Sequence, residues 1–264
     1  MKITDGIYTK DLALYIKPAK ILVISDIHIG YEDDLNKKGF LIPRVHFKEM
    51  IDRLGKIMVK TNPETIIITG DLKHQFGSIS DQEWRDTLRF FDFLAKSCKN
   101  IIIVKGNHDT ILAPVARKRS IKMVDYFSVK TKIKGKSSNI YICHGDVIPE
   151  SKDKDFAESD IVIIGHEHPA VRISDGIRTE KFKCFIYGKW KPKKANIKEK
   201  IKGKTKMRNK ELIVLPSMNL ATEGTDLKSD KLLSPFLQQN IENFDVYIPT
   251  GEEVLYYGKL RSIE

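Results

Sequence analysis

Carboxylate, imidazole and amide side chains occur in five short clusters, each directly after a run of four or five mostly apolar residues. Such runs predict buried strands, and in open α/β sheets ligands bind at the carboxyl ends of the strands. Nitrogen and oxygen ligands of these types suit transition metals. The pattern therefore predicts a metal site at one sheet edge, formed by Asp26-Ile27-His28, Gly70-Asp71, Gly106-Asn107-His108-Asp109, His144-Gly145-Asp146 and Gly165-His166-Glu167-His168.

The segments between the early clusters are predicted to be crossover helices. Residues 43–60 and 81–97 show apolar positions at helical spacing. Strands are predicted later in the chain, at 169–188, at 211–220 and in a hairpin from Phe244 to Leu260. The order indicates βαβ winding first and antiparallel strands last.

In chain order the clusters resemble the DxH, GD, GNH(D/E), H and GHxH signature of the calcineurin-like metallophosphoesterases. The segments from Gly70 to Gly77 and from Leu215 to Asn219 are similar to those of the archaeal SbcD-related and bacterial ligase-associated phosphoesterases. The resemblance implies an α/β fold, the four-layer α/β/β/α sandwich. The length of the chain favours a single domain over residues 1–264. Residues at about 189–210 are interpreted as a basic inserted arm, because the resembled family usually has a shorter turn there.

The resemblance further implies two divalent ions bridged by one carboxylate, with a hydroxide between them as the nucleophile. Mixed nitrogen and oxygen ligands favour Mn²⁺, with Fe or Zn as alternatives, over Ca²⁺ and Mg²⁺. The implied ligands are Asp26, His28 and His168 for one ion, Asn107, His144 and His166 for the other, and Asp71 as the bridge.

Two further residues are expected to act in catalysis. By the same resemblance, His108 protonates the leaving oxygen, and Asp109 orients its imidazole. His74 either faces the pocket as a substrate-binding group or caps the loop after Asp71, and we favour the pocket. Glu167 is expected to face solvent, because the signature leaves its position variable.

Positive charge is concentrated in the arm. Residues 189–210 contain eleven Lys or Arg and one Glu, whereas the remaining chain has 35 basic and 34 acidic residues. Because lysines that neutralise phosphates bind nucleic acid independently of sequence, this arm predicts a DNA or RNA partner. Lys191, Lys193 and Lys194 are the candidate substrate contacts, and Trp190 is a candidate for stacking on single-strand bases. A solvated surface loop is the alternative.

Composition restricts the class of protein. The chain has 264 residues and three widely spaced cysteines, which imply no disulfide framework, and Cys143 is expected to be a core thiol. Neither a membrane-span run nor a signal-peptide stretch is visible. We therefore expect a cytoplasmic protein without membrane contact or an obligatory protein partner.

Together these features predict a manganese-dependent phosphodiesterase of nuclease type. The main alternative is a phosphodiesterase or phosphatase acting on cyclic nucleotides or nucleotides. A deep, closed pocket around His74 and Phe76 would favour that alternative, whereas an open groove leading to residue 189 would favour the nuclease. A non-catalytic scaffold is disfavoured, because no position of the signature is missing.

Overall fold

The computed structural model describes residues 1–43, 45–150, 152–192, 208–251 and 253–263. The first sheet has seven strands in chain order, and its last four strands are parallel. These strands are β1 Lys2–Thr4, β2 Ile7–Lys10, β3 Ala13–Ile16, β4 Ile21–Ile24, β5 Thr65–Thr69, β6 Asn100–Val104 and β7 Lys122–Val124.

A second seven-stranded sheet follows in the chain, and a three-stranded sheet adjoins it. The second sheet consists of β8 Phe127–Ile133, β9 Lys136–Ile142, β10 Ile161–Ile164, β13 Phe185–Trp190, β14 Lys210–Val214, β16 Asp245–Pro249 and β17 Val254–Lys259. Its spatial order is β17-β16-β13-β14-β10-β9-β8, and β9, β10 and β14 run parallel to one another. The small sheet consists of β11 Pro169–Ser174, β12 Thr179–Lys183 and β15 Thr225–Asp226.

Both predicted crossover helices are present. The helices of the described residues are α1 Tyr31–Lys37, α2 His46–Thr61, α3 Asp81–Ala95, α4 Ala113–Arg117 and α5 Lys154–Glu158. Helix α3 begins with a reciprocal cap in which the Ser80 hydroxyl accepts from the Glu83 amide and the Glu83 carboxylate accepts from the Ser80 amide. No helix in the described part of the chain is long and apolar enough to cross a membrane.

Alternate side chains of the strands enter different layers of the molecule, as the two-residue period of a strand requires. Val23 of the first sheet and Ile163 of the second lie in the core between the two sheets. Leu22 packs under α2 and α3, whereas Val162 packs under α5 and a 3₁₀ turn at Pro235–Leu237. The four-layer α/β/β/α sandwich is therefore confirmed, although its second outer layer is mostly short helices and irregular segments.

The later strands are close to their predicted positions. The hairpin from Phe244 to Leu260 is confirmed as β16 and β17. The strand predicted at 211–220 ends at Val214, because the following residues turn under the first cluster, where the Ser217 hydroxyl donates to the Asp26 carbonyl at 2.6 Å. All three cysteines are buried and unpaired, and the prediction that Cys143 is a core thiol is confirmed.

Candidate active site

The two sheets bring their parallel-strand ends together at one edge. The clusters after β4, β5 and β6 come from the first sheet, and those after β9 and β10 come from the second. The His166 amide donates to Asp26 Oδ2 at 3.0 Å, which joins the two sheets directly. The edge thus assembles residues such as Asp26 and His166, which lie 140 residues apart in the chain.

One ligand set forms around the first cluster. His168 Nε2 lies 3.4 Å from Asp26 Oδ1 and 3.3 Å from His28 Nε2. Asp26 and His28 are buried, and His168 is partly exposed. The ligand atoms of these three side chains all lie within 4.8 Å of one another.

A second set forms around His144. Its Nε2 lies 3.4 Å from Asp71 Oδ2, 3.1 Å from His166 Nδ1 and 2.9 Å from Asn107 Oδ1. Asp71 Oδ2 is also 4.0 Å from His28 Nε2, so the Asp71 carboxylate stands between the two sets. The seven predicted ligands are therefore brought together in the predicted grouping.

These donor sets fit metal ions. Ligand atoms that bind one ion at about 2.1 Å lie roughly 3.0–3.4 Å from one another, close to the separations found here. His144 Nδ1 lies 3.0 Å from the Thr69 carbonyl, to which it donates when Nε2 is the unprotonated nitrogen. This contact favours a tautomer whose Nε2 lone pair faces the site, as in known histidine ligands.

The charges of the centre also favour a cation. Burial favours the neutral ring of His144, but the hydrogen bond to Asp71 and the charge on Asp26 outweigh it and raise the His144 pKa to about 10. Burial likewise disfavours the Asp26 carboxylate, yet the imidazoles of His168, His144 and His28 hold the pKa of Asp26 well below its ordinary value. Because a metal ligand must be deprotonated, a bound dication would compete with a proton for His144.

Five of the predicted ligand residues at this edge have left-handed backbone conformations. Asp26, His28, Asp71, His166 and His168 all have positive φ between 47° and 64°. Such conformations cost roughly 1–3 kcal/mol each and concentrate at functional sites.

Two glycines allow neighbouring turns at this edge to pack closely against each other. A Cβ on Gly106 would overlap the Asp71 carboxylate, and one on Gly165 would overlap the Ser25 hydroxyl. Glycine is therefore required at positions 106 and 165, because the neighbouring turn leaves no room for a side chain there.

His108 lies beside the shared carboxylate and is not part of either ligand set. Its Nδ1 donates to the His74 carbonyl, and its Nε2 is 3.8 Å from Asp71 Oδ2. The His74 ring is partly exposed, with its Nε2 3.5 Å from Asp34 Oδ2. The His28, His74 and His108 rings also form a third group with mutually close nitrogens, which places His74 at the site edge.

The contacts of Asp109 differ from the sequence prediction. Its carboxylate accepts from the amides of Leu72 at 3.0 Å and Gly106 at 3.1 Å, and its hydrogen bonds within the described chain do not include the His108 ring. Burial raises the pKa of Asp109 to about 6. Asp109 therefore joins two ligand turns, and the His74 carbonyl orients His108 in its place.

Glu167 is buried, so the prediction that it faces solvent is wrong. Its Oε2 accepts from the amides of Leu233 at 2.9 Å and Ser234 at 2.7 Å. The Ser234 hydroxyl in turn donates to the Gly145 carbonyl at 2.7 Å. The side chain points inward because the segment around residue 233 covers the turn, a contact that the local sequence does not indicate.

Two residues that support the site were not predicted from the sequence. The Ser25 hydroxyl donates to Asp26 Oδ2, and Glu83 accepts from the amides of His74 at 3.2 Å and Gln75 at 2.9 Å. The Ser80-x-x-Glu83 spacing is typical of a helix cap. It did not indicate that the same carboxylate holds the loop after Asp71.

The described ends of the basic arm lie away from this edge. Trp190 pairs with Lys210 at the start of β14, whereas the ligand turns follow the ends of the parallel strands. Trp190 is buried against Phe156 and Phe236, so the prediction that it stacks on bases is wrong, because its strand directs it into the core. Lys191 is exposed at the same remote end, and the predicted contacts Lys193 and Lys194 lie outside the described residues.

Two ligand sets that share a carboxylate define the class of two-metal centres used for phosphoester chemistry. A model of the calcineurin-like phosphoesterase family matches residues 19–188, more than half of the chain, and the chain belongs to that family. The predicted resemblance is confirmed, and the family implies a hydrolase acting on phosphoesters.

Comparison with one solved structure supports the fold. The structure is similar to the crystal structure of Pseudomonas putida nuclease MPE, with a TM-score of 0.59 and 15% identity over 96% of this chain and 95% of that chain. A weaker match is Yfce, a phosphoesterase from E. coli, with a TM-score of 0.40 and 11% identity over 89% of this chain and 96% of that chain. No curated protein matches this sequence.

Proposed function

We propose that this protein is a two-metal phosphodiesterase of nuclease type that hydrolyses DNA or RNA. The observation that supports it best is the Asp71 carboxylate, which stands between the two predicted ligand sets and beside the Nε2 atom of His108. Mn²⁺ is the proposed metal, since the ligands mix imidazole nitrogen with oxygen. Bound ions would neutralise phosphate charge and lower the pKa of a nucleophilic water.

The chain's own residues account for positioning and proton transfer. Because His108 Nδ1 is engaged by the His74 carbonyl, Nε2 is the atom available to donate a proton to the leaving oxygen. We assign this role to His108 and assign to His74 a contact with the substrate phosphate. Asp109 is a positioning residue, since it acts through the amides of the ligand turns.

The exposure of the site favours a polymeric substrate. The Phe76 side chain is largely exposed, and the His74 ring is partly exposed, so these two residues do not line a deep, closed pocket. A nucleic-acid strand would have access to this edge. The basic arm would then bind the strand at a distance from the scissile bond, because its described ends lie at the opposite end of β14.

One observation favours the alternative of a small-molecule diester. A cavity of about 410 Å³ adjoins His28 and is lined by Tyr31, Phe47, Asp86 and Arg89, among others. Ligand pockets commonly have roughly 300–1,000 Å³, so this space would accommodate a nucleotide-sized group. The two functions differ in whether the enzyme hydrolyses a polymer in addition to small diesters.

The test compares two substrates after metal removal and reloading with Mn²⁺. Single-stranded DNA and a small aryl phosphodiester are incubated with the wild type and with His108→Ala, which controls for contaminating nucleases. The proposed function predicts that the wild type cleaves both substrates. Turnover of each substrate by the variant should be lower by roughly 100-fold or more. Cleavage of the small diester alone would contradict the nuclease function and favour the alternative.

The contribution of the arm is tested separately. Replacing residues 193–207 with a short Gly-Ser linker should weaken binding of single-stranded DNA and reduce its salt dependence, since fewer counterions are released. Turnover of the aryl phosphodiester serves as the internal control and should be retained. An unchanged salt dependence of DNA binding would remove the arm from the proposal.

A further inference from the structure

Phe76 is an aromatic residue that contacts the proposed general acid and still faces solvent. Its ring centroid lies 3.6 Å from that of His108, and its plane is inclined by 34°. The side chain is 63% exposed. Single exposed apolar residues are common on protein surfaces, so this exposure alone indicates no function.

A buried polar network distinguishes Phe76 from an ordinary surface residue. Glu83 is fully buried and accepts from the amides of Gln75 at 2.9 Å and Ser80 at 2.8 Å, on either side of Phe76. The buried Lys73 ammonium also donates to the Gln75 carbonyl. The loop that presents the ring is therefore held in place before any ligand binds, which reduces the entropy lost on binding.

The orientation of the His108 ring indicates which side of the substrate phosphate Phe76 would face. Nδ1 of His108 is bonded to the His74 carbonyl, and Nε2 is near Asp71. With His108 as the donor to the leaving oxygen, the ring that packs on it lies on the leaving-group side of the phosphate. In a nucleic acid this leaving group is a nucleotide, whose base is planar and apolar on its faces. An exposed aromatic ring binds such a face by stacking.

We propose that Phe76 determines specificity by stacking on the nucleobase of the leaving nucleotide. The inference rests on the proposed phosphodiesterase function and adds to it a preference for diesters whose leaving group bears a base. Stacking is tolerant of sequence, because every base has a π face. The proposal therefore predicts discrimination between base-bearing and abasic strands and little discrimination among bases.

The test measures kcat/KM of the Mn²⁺-loaded enzyme on two labelled single strands, one with bases and one built from abasic nucleotides. Phe76→Ala should lower the ratio of the two values by about 5- to 150-fold, the range expected for one stacked base. Phe76→Trp should retain the wild-type ratio. Ile177→Ala removes another exposed apolar side chain, 91% exposed, and controls for a general surface effect.

A binding measurement provides a second readout. Strands containing 2-aminopurine lose fluorescence when the base stacks, so the binding phase in stopped flow should show quenching with the wild type and much less with Phe76→Ala.

Two results would overturn the inference. Equal losses on both strands would mean that Phe76 acts only by positioning His108. If the wild type failed to cleave DNA but cleaved the aryl phosphodiester, the proposed nuclease function would be refuted, and this inference with it.

Discussion

Glu83 lies outside both ligand sets, yet its removal should impair stability and turnover together. Its carboxylate accepts from the amides of His74, Gln75 and Ser80 at 3.2, 2.9 and 2.8 Å. The His74 carbonyl in turn accepts from His108 Nδ1. One buried carboxylate thus supports the segment that orients the proposed general acid.

The magnitude of the effect follows from these bonds. Glu83→Ala leaves the Gln75 and Ser80 amides without their acceptor, whereas the His74 amide keeps its bond to the Ile29 carbonyl at 2.9 Å. The substitution also creates a small cavity, so we expect it to lower the free energy of unfolding by about 3–5 kcal/mol. Glu83→Gln retains one acceptor oxygen but turns an NH₂ group towards the Ser80 amide, and we expect a loss of about 1–3 kcal/mol. In the folded enzyme the displaced His108 should reduce kcat by about 10- to 100-fold in the alanine variant.

Urea unfolding and turnover of a small aryl phosphodiester measure the two effects. Metal content, determined on the same samples, should stay at the wild-type level, because Glu83 is outside both ligand sets. Glu64→Gln is the matched control, since Glu64 forms an exposed ion pair with Lys20, and it should change stability by less than about 1 kcal/mol. If Glu83→Ala lost stability but kept the wild-type kcat, the link from Glu83 through His74 to His108 would be refuted.

Three further predictions concern other parts of the molecule. Burial lowers the pKa of Lys183 from 10.5 to about 7, so between these pH values the unfolded chain binds a proton that the folded chain lacks. The free energy of unfolding in urea should therefore rise with pH over this range, by at most about 1.4 kcal/mol per pH unit. Lys183→Met should reduce this pH dependence, and an equal pH dependence in the wild type and the variant would contradict the prediction. Gly165→Ala should abolish metal binding in equilibrium dialysis by overlapping Ser25, whereas Gly55→Ala, whose Cβ would approach only to 3.7 Å of its nearest neighbour, should retain it. Trp190→Ala should cost about 3–5 kcal/mol in unfolding without changing the affinity of the folded protein for single-stranded DNA, and lost affinity at unchanged stability would restore the base-stacking role.

The sequence by itself determined where the ligands of the site would meet. Parallel strands end at a common edge, so apolar runs followed by polar clusters indicate a site without knowledge of the strand order. The start of α3 at Asp81 was also predictable, because its cap involves residues only three positions apart. These features depend on local spacing, which a single sequence displays directly.

Only the tertiary structure decided what the flanking residues contact. Asp109 and Glu167 belong to the same motifs as the ligands, but their carboxylates bind amides 37 and 67 positions away, respectively. Trp190 enters the core, and the ends of the arm lie opposite the site, because β13 runs antiparallel to β14. Each of these outcomes depends on which distant segment lies beside the side chain, and the spacing of residues along one chain does not specify that neighbour.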